Sequence, residues 1–170
     1  MKDSRYWIDT LGLEEHPEGG YYRETYRASL RIPAEDLPGC FGGTRNACTG
    51  IYYLLDAGQF GALHRLCSDE MWHFYAGDPL TIHVIDSSGA HSSLRLGSEP
   101  ERGEVLQCVV SGGAWFGACL EEGGRYALAG CTVSPGFDFQ DFEQAERSEL
   151  IRLFPDHRAV IEGLTHGGDA

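Results

Sequence analysis

The chain has 170 residues, of which 42% are hydrophobic and 23% charged, and it carries a formal net charge of −13 at pH 7. This composition excludes a disordered chain and predicts one globular domain over residues 1–170. The negative charge argues against a nucleic-acid partner, because phosphate binding requires a basic surface.

The N-terminal segment is predicted to be a helix. Tyr6, Trp7, Leu11 and Leu13 form an apolar stripe, and Gly12 ends the helix. The same segment lacks the apolar stretch of a signal peptide, and no later apolar run approaches the length of a membrane span. We therefore expect a cytoplasmic protein without a membrane partner.

The rest of the chain is predicted to be mainly β-strand. The turn-rich residues 16–20 precede a strand over residues 21–27, and the Pro and Gly residues of 33–45 predict a loop. Further strands are predicted over residues 50–55, 62–66, 71–75, 80–85, 92–96, 105–110, 114–120 and 126–133. Strands at this spacing are typical of an antiparallel sandwich or barrel such as a jelly roll. Residues 141–154 predict a C-terminal helix, and Pro155 either ends it or begins a short second turn.

The cysteines indicate structural thiols rather than a zinc cluster. The chain has 6 cysteines, and none forms a close CxxC pair. Cys108, Cys119 and Cys131 lie inside apolar strand-like runs, where a free cysteine behaves as a small core residue. We expect these thiols to be reduced.

Residues 61–77 carry the side chains most suited to chemistry. His64, Glu70 and His73 are close in sequence, and His and Glu are common in metal binding and in general acid–base catalysis. Strand alternation places His64 and Leu66 on one face. Counted from Glu70, the same alternation places His73 on the opposite face unless a bulge intervenes.

This segment resembles the first sequence motif of the cupins, in which a His-x-His pair is followed by a Glu and then a Gly. His64 matches the first His, Glu70 the Glu and Gly77 the Gly, whereas Leu66 stands at the second His. The second cupin motif, Pro-x-Gly-x-x-His, is similar to residues 111–116.

In that second motif, Gly113 matches, but Ser111 replaces the Pro and Phe116 replaces the His. Residues 16–26, 68–75, 115–118 and 131–139 resemble one cupin subfamily that brings no settled activity. The resemblance implies an all-β double-stranded β-helix, the cupin jelly roll, and a homodimer. The sequence adds N-terminal and C-terminal helices to that fold.

The resemblance leaves two of the four usual cupin metal ligands absent. Leu66 and Phe116 turn ligand positions into apolar wall, which suits an organic ligand better than an ion. His64 and Glu70 alone would hold a metal weakly, so we expect no cofactor. A divalent metal bound by His64, Glu70 and His73 stays open as an alternative.

A small-molecule ligand is the expected partner. The candidate wall of its pocket consists of Tyr52, Trp72, Phe74, Trp115 and Phe116, although most of these aromatic residues would serve equally well as core. Arg23 and Arg65 are the nearest cations and would bind a phosphate or carboxylate if Arg23 folds over the barrel mouth. Surface positions are the simpler interpretation of both.

Three functions remain open from the sequence, and with them the question of whether the protein is an enzyme. The first is a metal-independent epimerase or isomerase of a carbohydrate or sugar-nucleotide-like substrate, by analogy with metal-free sugar epimerases of the same fold. There His64 would remove a proton, Glu70 would orient the imidazole and Tyr53 would return a proton. The second is a ligand-binding or sensor protein without catalysis, and the third is a metal-dependent cupin enzyme.

Overall fold

Two antiparallel β-sheets form the body of the computed structural model, which describes residues 2–167. Its strands are β1 (Glu14–Glu15), β2 (Tyr21–Arg27), β3 (Arg31–Ile32), β4 (Arg45–Asn46), β5 (Thr49–Asp56), β6 (Phe60–Arg65), β7 (Asp69–Gly77), β8 (Leu80–Ile85), β9 (His91–Leu96), β10 (Gln107–Val110), β11 (Trp115–Leu120), β12 (Tyr126–Ser134) and β13 (Glu143–Gln144). Its α-helices are α1 (Ser4–Leu11), α2 (Arg147–Leu153) and α3 (Arg158–Gly163).

The larger sheet has 6 strands in the order β1-β2-β5-β12-β7-β10, and the smaller has 5 in the order β13-β6-β11-β8-β9. Strand alternation directs one face of each sheet into the main apolar core. In β8, for example, Leu80 and Ile82 are buried in that core, together with Phe116 of β11 and Trp72 of β7. This arrangement confirms the predicted all-β jelly roll.

Helices cover the outer faces of both sheets. Helix α1 packs on the larger sheet, where Leu54 and Leu128 are buried beneath Trp7 and Ile8. Helices α2 and α3 pack on the smaller sheet, and there they bury Trp115. Side chains that point outward from these strands can therefore be buried without reaching the space between the sheets.

The predicted N-terminal helix is confirmed. Asp3 accepts a hydrogen bond from the Tyr6 amide at 2.9 Å, which caps the start of α1. Gly12 adopts a left-handed conformation with φ of 61° and ends the helix.

The predicted helix over residues 141–154 is wrong in its first half. Residues 143–144 form β13, which pairs with Arg65 and His64 of β6, and α2 begins only at Arg147. The Glu146 carboxylate accepts hydrogen bonds from the Ser148 and Glu149 amides, so the helix cannot extend further back. A tertiary pairing therefore overrides the helical pattern in this segment.

Within residues 2–167, no helix is both long and apolar enough to cross a membrane. All 6 cysteines are unpaired, and Cys131 is buried in the core, whereas Cys108 and Cys119 are half-buried.

Candidate functional site

A cavity of about 340 Å³ lies between the two sheets. Strands β2, β5, β6, β7 and β12 contribute its walls, together with the loop before β2 and the segment after β12. Its volume is within the range of small-molecule sites.

The loop of residues 16–20 reaches into one side of this cavity. The Glu18 carbonyl accepts a hydrogen bond from the Ala62 amide at 2.9 Å, and the Tyr53 hydroxyl donates to the Gly19 carbonyl at 2.9 Å. Gly19 has φ of 108°, and a Cβ there would overlap the Phe60 carbonyl oxygen. Only glycine permits this approach, and it brings Glu18 to the cavity.

His64 of β6 is buried beside this loop, with 6% of its surface exposed. Its Nδ1 lies 2.8 Å from the Ala62 carbonyl oxygen and 3.2 Å from Oε2 of Glu18. Because a carbonyl oxygen can only accept, Nδ1 carries the proton and donates it. The Nε2 lone pair of His64 is left without a hydrogen-bond partner in the described chain. Burial lowers the pKa of His64 to about 4, so the ring is neutral at neutral pH.

Glu18 is also buried, and its Oε2 approaches Nδ1 of His64 in a place where burial disfavours the charged form of both groups. A separation of 3.2 Å would suit an ion pair. However, burial, followed by the charge of Glu70, raises the pKa of Glu18 well above its usual value. His16 lies on the other side, accepts from the Glu18 amide at 3.2 Å, and has a pKa that burial lowers to about 4.

Glu70 of β7 faces the same cavity with 7% of its surface exposed. Burial raises its pKa to about 7, although a hydrogen bond with the Cys131 thiol acts in the opposite direction. Glu70 therefore changes protonation in the neutral pH range. The sequence predicted that Glu70 would orient the His64 imidazole, but Glu18 makes that contact.

Two predicted site residues besides His64 and Glu70 line the cavity. Tyr53 is buried there, and burial raises the pKa of its phenol well above the usual value. Trp72 stands beside it, and its indole N–H has no hydrogen-bond partner in residues 2–167. Phe116 packs against the His64 ring at a centroid distance of 4.1 Å, and Phe74 packs against the core.

Other predicted ligand-binding residues lie outside the cavity. In β2, Tyr22 is paired with Tyr53 and Arg23 with Tyr52, so Arg23 and Tyr52 share the outer face. Arg23 is exposed and donates to the Leu11 carbonyl at 2.8 Å, and Tyr52 packs under α1. Arg23 therefore does not cover the barrel mouth and occupies a surface position, which was the simpler interpretation of the sequence.

Trp115 and Arg65 are likewise directed away from the cavity between the sheets. Neighbouring residues of a strand point to opposite faces. Because Phe116 faces inward, Trp115 faces outward, where it is buried under α2 and α3. The Arg65 guanidinium lies 4.6 Å from the centre of the Trp115 ring and 2.7 Å from the Glu143 carboxylate. Arg65 lines a separate cavity on that side.

The residues present do not fit the metal centre that the cupin motifs imply. His73 points away from the cavity, with its Nε2 3.1 Å from the Thr132 hydroxyl, and accepts from the Gln107 amide at 2.9 Å. Leu66 and Phe116 offer no donor atom. Across residues 2–167, no group of three or more His, Cys, Asp or Glu side chains is arranged to hold a metal ion.

His16 and Glu18 are site residues that the sequence did not single out. Their signal was the pair of glycines directly before a strand, which marks a close backbone approach. The contact of this loop with β6 depends on the tertiary fold and could not be predicted from the glycines alone.

Comparison with known proteins gives a family match and close structural relatives. The model of the family described as cupin superfamily (DUF985) matches residues 5–145. An uncharacterized protein of Saccharomyces cerevisiae is 33% identical over 143 residues, covering 79% of this chain and 71% of the yeast protein. A hypothetical protein from Leishmania major is 40% identical, with a TM-score of 0.89 over 98% of this chain and 100% of that one.

A protein of Shewanella oneidensis has the same TM-score of 0.89, with 37% identity over 99% of this chain and 100% of its own. Oxalate decarboxylase from Bacillus subtilis is more distant, at 16% identity and a TM-score of 0.53, covering 91% of this chain and 40% of that enzyme. That likeness shows a shared fold alone.

Proposed function

The chain belongs to the cupin superfamily, in the family described as DUF985, and we propose that it binds a small carbohydrate-like molecule between its sheets and catalyses a metal-independent proton transfer on it. The reaction would be an isomerisation next to a carbonyl group, in which the Glu70 carboxylate takes a proton from one carbon and the resulting carboxylic acid returns it to the neighbouring carbon. The observation that carries the proposal is the set of buried, titratable side chains Glu18, His64 and Glu70 around one cavity.

Glu70 is the proposed proton-transfer group. A general base works best when its pKa is close to the working pH, and the pKa of Glu70 is raised to about 7. Apolar neighbours keep water away, which strengthens hydrogen bonds and charge interactions inside the cavity. This assignment differs from the sequence-based scheme, in which His64 was the base.

His64 is proposed to bind the substrate rather than to remove the proton. Its Nδ1–H is donated to the Ala62 carbonyl, so the Nε2 lone pair is available to accept a hydrogen bond from a substrate hydroxyl. The Tyr53 hydroxyl is already donated to Gly19, and its raised pKa opposes proton loss. We assign Tyr53 to positioning the loop of residues 16–20.

Exchange of substrate hydrogens with solvent tests the proposal. The protein would be incubated in D2O with a panel of aldoses and ketoses, and proton NMR would follow the loss of carbon-bound hydrogen. We expect deuterium to enter one position, and Glu70→Gln to slow this by at least about 100-fold. Glu122→Gln, the same change at an exposed turn residue, is the matched control. Equal exchange by wild type and Glu70→Gln would contradict the assignment.

Ligand binding without turnover is the second candidate. It is favoured because neither His64, with its low pKa, nor Tyr53, whose hydroxyl is donated to Gly19, offers a second proton-transfer group beside Glu70. An imidazole with a pKa of about 4 is a weak base and serves well as a hydrogen-bond acceptor. A ligand that raises the melting temperature but incorporates no deuterium in the same assay would support binding over catalysis.

A further inference from the structure

The titratable side chains around the cavity are mostly acidic. Among the described residues, its lining includes the carboxyl groups of Glu18, Glu24, Glu70 and Asp138 and a single guanidinium, that of Arg27. Arg27 is already engaged, because it donates to the Glu24 carboxylate at 2.7 and 3.0 Å and to the Phe137 carbonyl and the Asn46 amide oxygen at 3.1 Å. The cavity therefore offers no free cation to an anionic ligand.

Within the described part of the chain, Glu18 and Glu70 have no cationic partner. Across residues 2–167, no lysine or arginine pairs with either carboxyl group, and the neighbours of Glu18 are histidines that burial keeps neutral. A buried carboxyl group without a counter-charge is costly to ionise. A positively charged ligand would supply what the chain lacks.

Aromatic rings surround the same space and provide an independent observation. Trp72 and Tyr53 meet edge to face at a centroid distance of 5.6 Å, and Tyr22 and Phe137 also line the cavity. Rings of this kind attract ammonium groups through their electron-rich faces. Trp72 is 4% exposed, and its buried indole N–H has no hydrogen-bond acceptor among the described residues. A ligand oxygen could supply that acceptor.

We propose that the ligand of this cavity is a cationic amine that also carries a hydroxyl or carbonyl group, with its ammonium paired to Glu70 and held among the aromatic rings. The inference rests on the proposed function, since it concerns the same cavity, and it narrows the substrate class to amino sugars, whose open-chain form supplies the carbonyl group that the proposed reaction requires. It excludes phosphates and carboxylates, and with them the sugar nucleotides suggested by the sequence.

The pairing has a pH signature. An ammonium group beside Glu70 lowers its pKa and favours its carboxylate, which is the form that the proposed proton removal requires. Binding therefore releases a proton wherever the free protein holds Glu70 protonated. The affinity for amines therefore rises as the pH increases towards about 7 and is constant above it. The titratable groups around Glu70 are Glu18, Tyr53, His64, Cys108 and Cys131.

Three probes that share a ring and a hydroxyl test the charge preference: aminocyclohexanol, cyclohexanediol and hydroxycyclohexanecarboxylate. Each would be titrated into the protein at a pH of about 8 and followed by ligand-observed NMR. We expect the amine to bind at least about tenfold more tightly than the diol, and the carboxylate to bind most weakly. Glu70→Gln should reduce the amine to the level of the diol, and Glu122→Gln should change nothing.

The outcomes separate this inference from the proposed function. Binding of the diol or the carboxylate as tightly as the amine overturns the cationic ligand and leaves the cavity as a binding site. If none of the probes binds, both the cationic ligand and the proposed binding of a small molecule in this cavity are overturned. If Glu70→Gln does not fold, the wild-type protein still decides, because amine affinity that stays constant between pH values of about 6 and 8 overturns the pairing.

Discussion

Replacing Glu70 by glutamine should stabilise the protein above neutral pH. Burial raises the pKa of Glu70 from 4.5 to about 7. Each pKa unit corresponds to about 1.4 kcal/mol, so ionised Glu70 costs the folded state roughly 3 kcal/mol relative to the unfolded chain. Because the pKa is raised in the folded state, this cost is absent below the unfolded value and accumulates as the pH rises to about 7. Glutamine has a similar shape and does not ionise.

Urea denaturation of wild type and Glu70→Gln across the pH range measures this difference. The two free energies of unfolding should converge at a pH of about 4 and differ by roughly 3 kcal/mol at a pH of about 8, with the variant more stable. Glu122→Gln controls for the chemical change at an exposed site, where the difference should stay small and constant. A Glu70→Gln effect that does not vary with pH would refute the idea of a buried carboxyl group without a counter-charge.

Four further predictions follow from the structure. Arg45 and Asp141 form a buried, bidentate pair with both contacts at 2.5 Å, so Arg45→Met should lower the free energy of unfolding by about 3–5 kcal/mol, and Arg45→Met with Asp141→Leu should recover most of it in a urea titration. His64→Ala should weaken ligand binding in the NMR titration while circular dichroism shows an unchanged fold. Elemental analysis of protein purified without chelator should find a metal content near zero, and added Fe, Mn, Zn or Ni should not increase proton exchange. Light scattering should give twice the mass of the chain, as predicted from the homodimer that the cupin resemblance implies.

Local patterns predicted most of the strands because their cause is local. Alternation of apolar and polar side chains and clusters of turn residues reflect one strand and its two ends, and β8 was predicted with both of its bounds, Leu80 and Ile85. The inward direction of His64 and Glu70 followed from the same alternation combined with the cupin motif. The sequence did not reveal how β13 pairs with β6, because residues 143–144 become a strand only where β6 offers a free edge.

Alternation shows which residues of a strand share a face, but it does not show which face points into the cavity. The predicted ligand-binding residues that lie outside the cavity were misplaced for this reason. Tyr22 and Arg23 must point in opposite directions, yet nothing in β2 says which one faces the cavity. Trp115 and Phe116 pose the same question, and it is decided by α2 and α3, which cover the outer face and bury Trp115 there. Glu18 was missed for a different reason, since the contact of its loop with β6 spans more than 40 residues of sequence.

The apolar residues at the ligand positions and the shifted pKa values have a common physical cause. Leu66 lines the cavity and Phe116 packs on His64, so two positions that would carry donor atoms in a metal-binding cupin instead remove water from their neighbours. Desolvation is the largest cause of both the low pKa of His64 and the raised pKa of Glu70. A metal ion would have held Glu70 as a carboxylate and engaged the lone pair of the neutral His64 imidazole, whereas a dry pocket leaves that lone pair available and allows Glu70 to exchange a proton near neutral pH. The same two substitutions that argue against a metal therefore create the conditions for the proposed proton transfer.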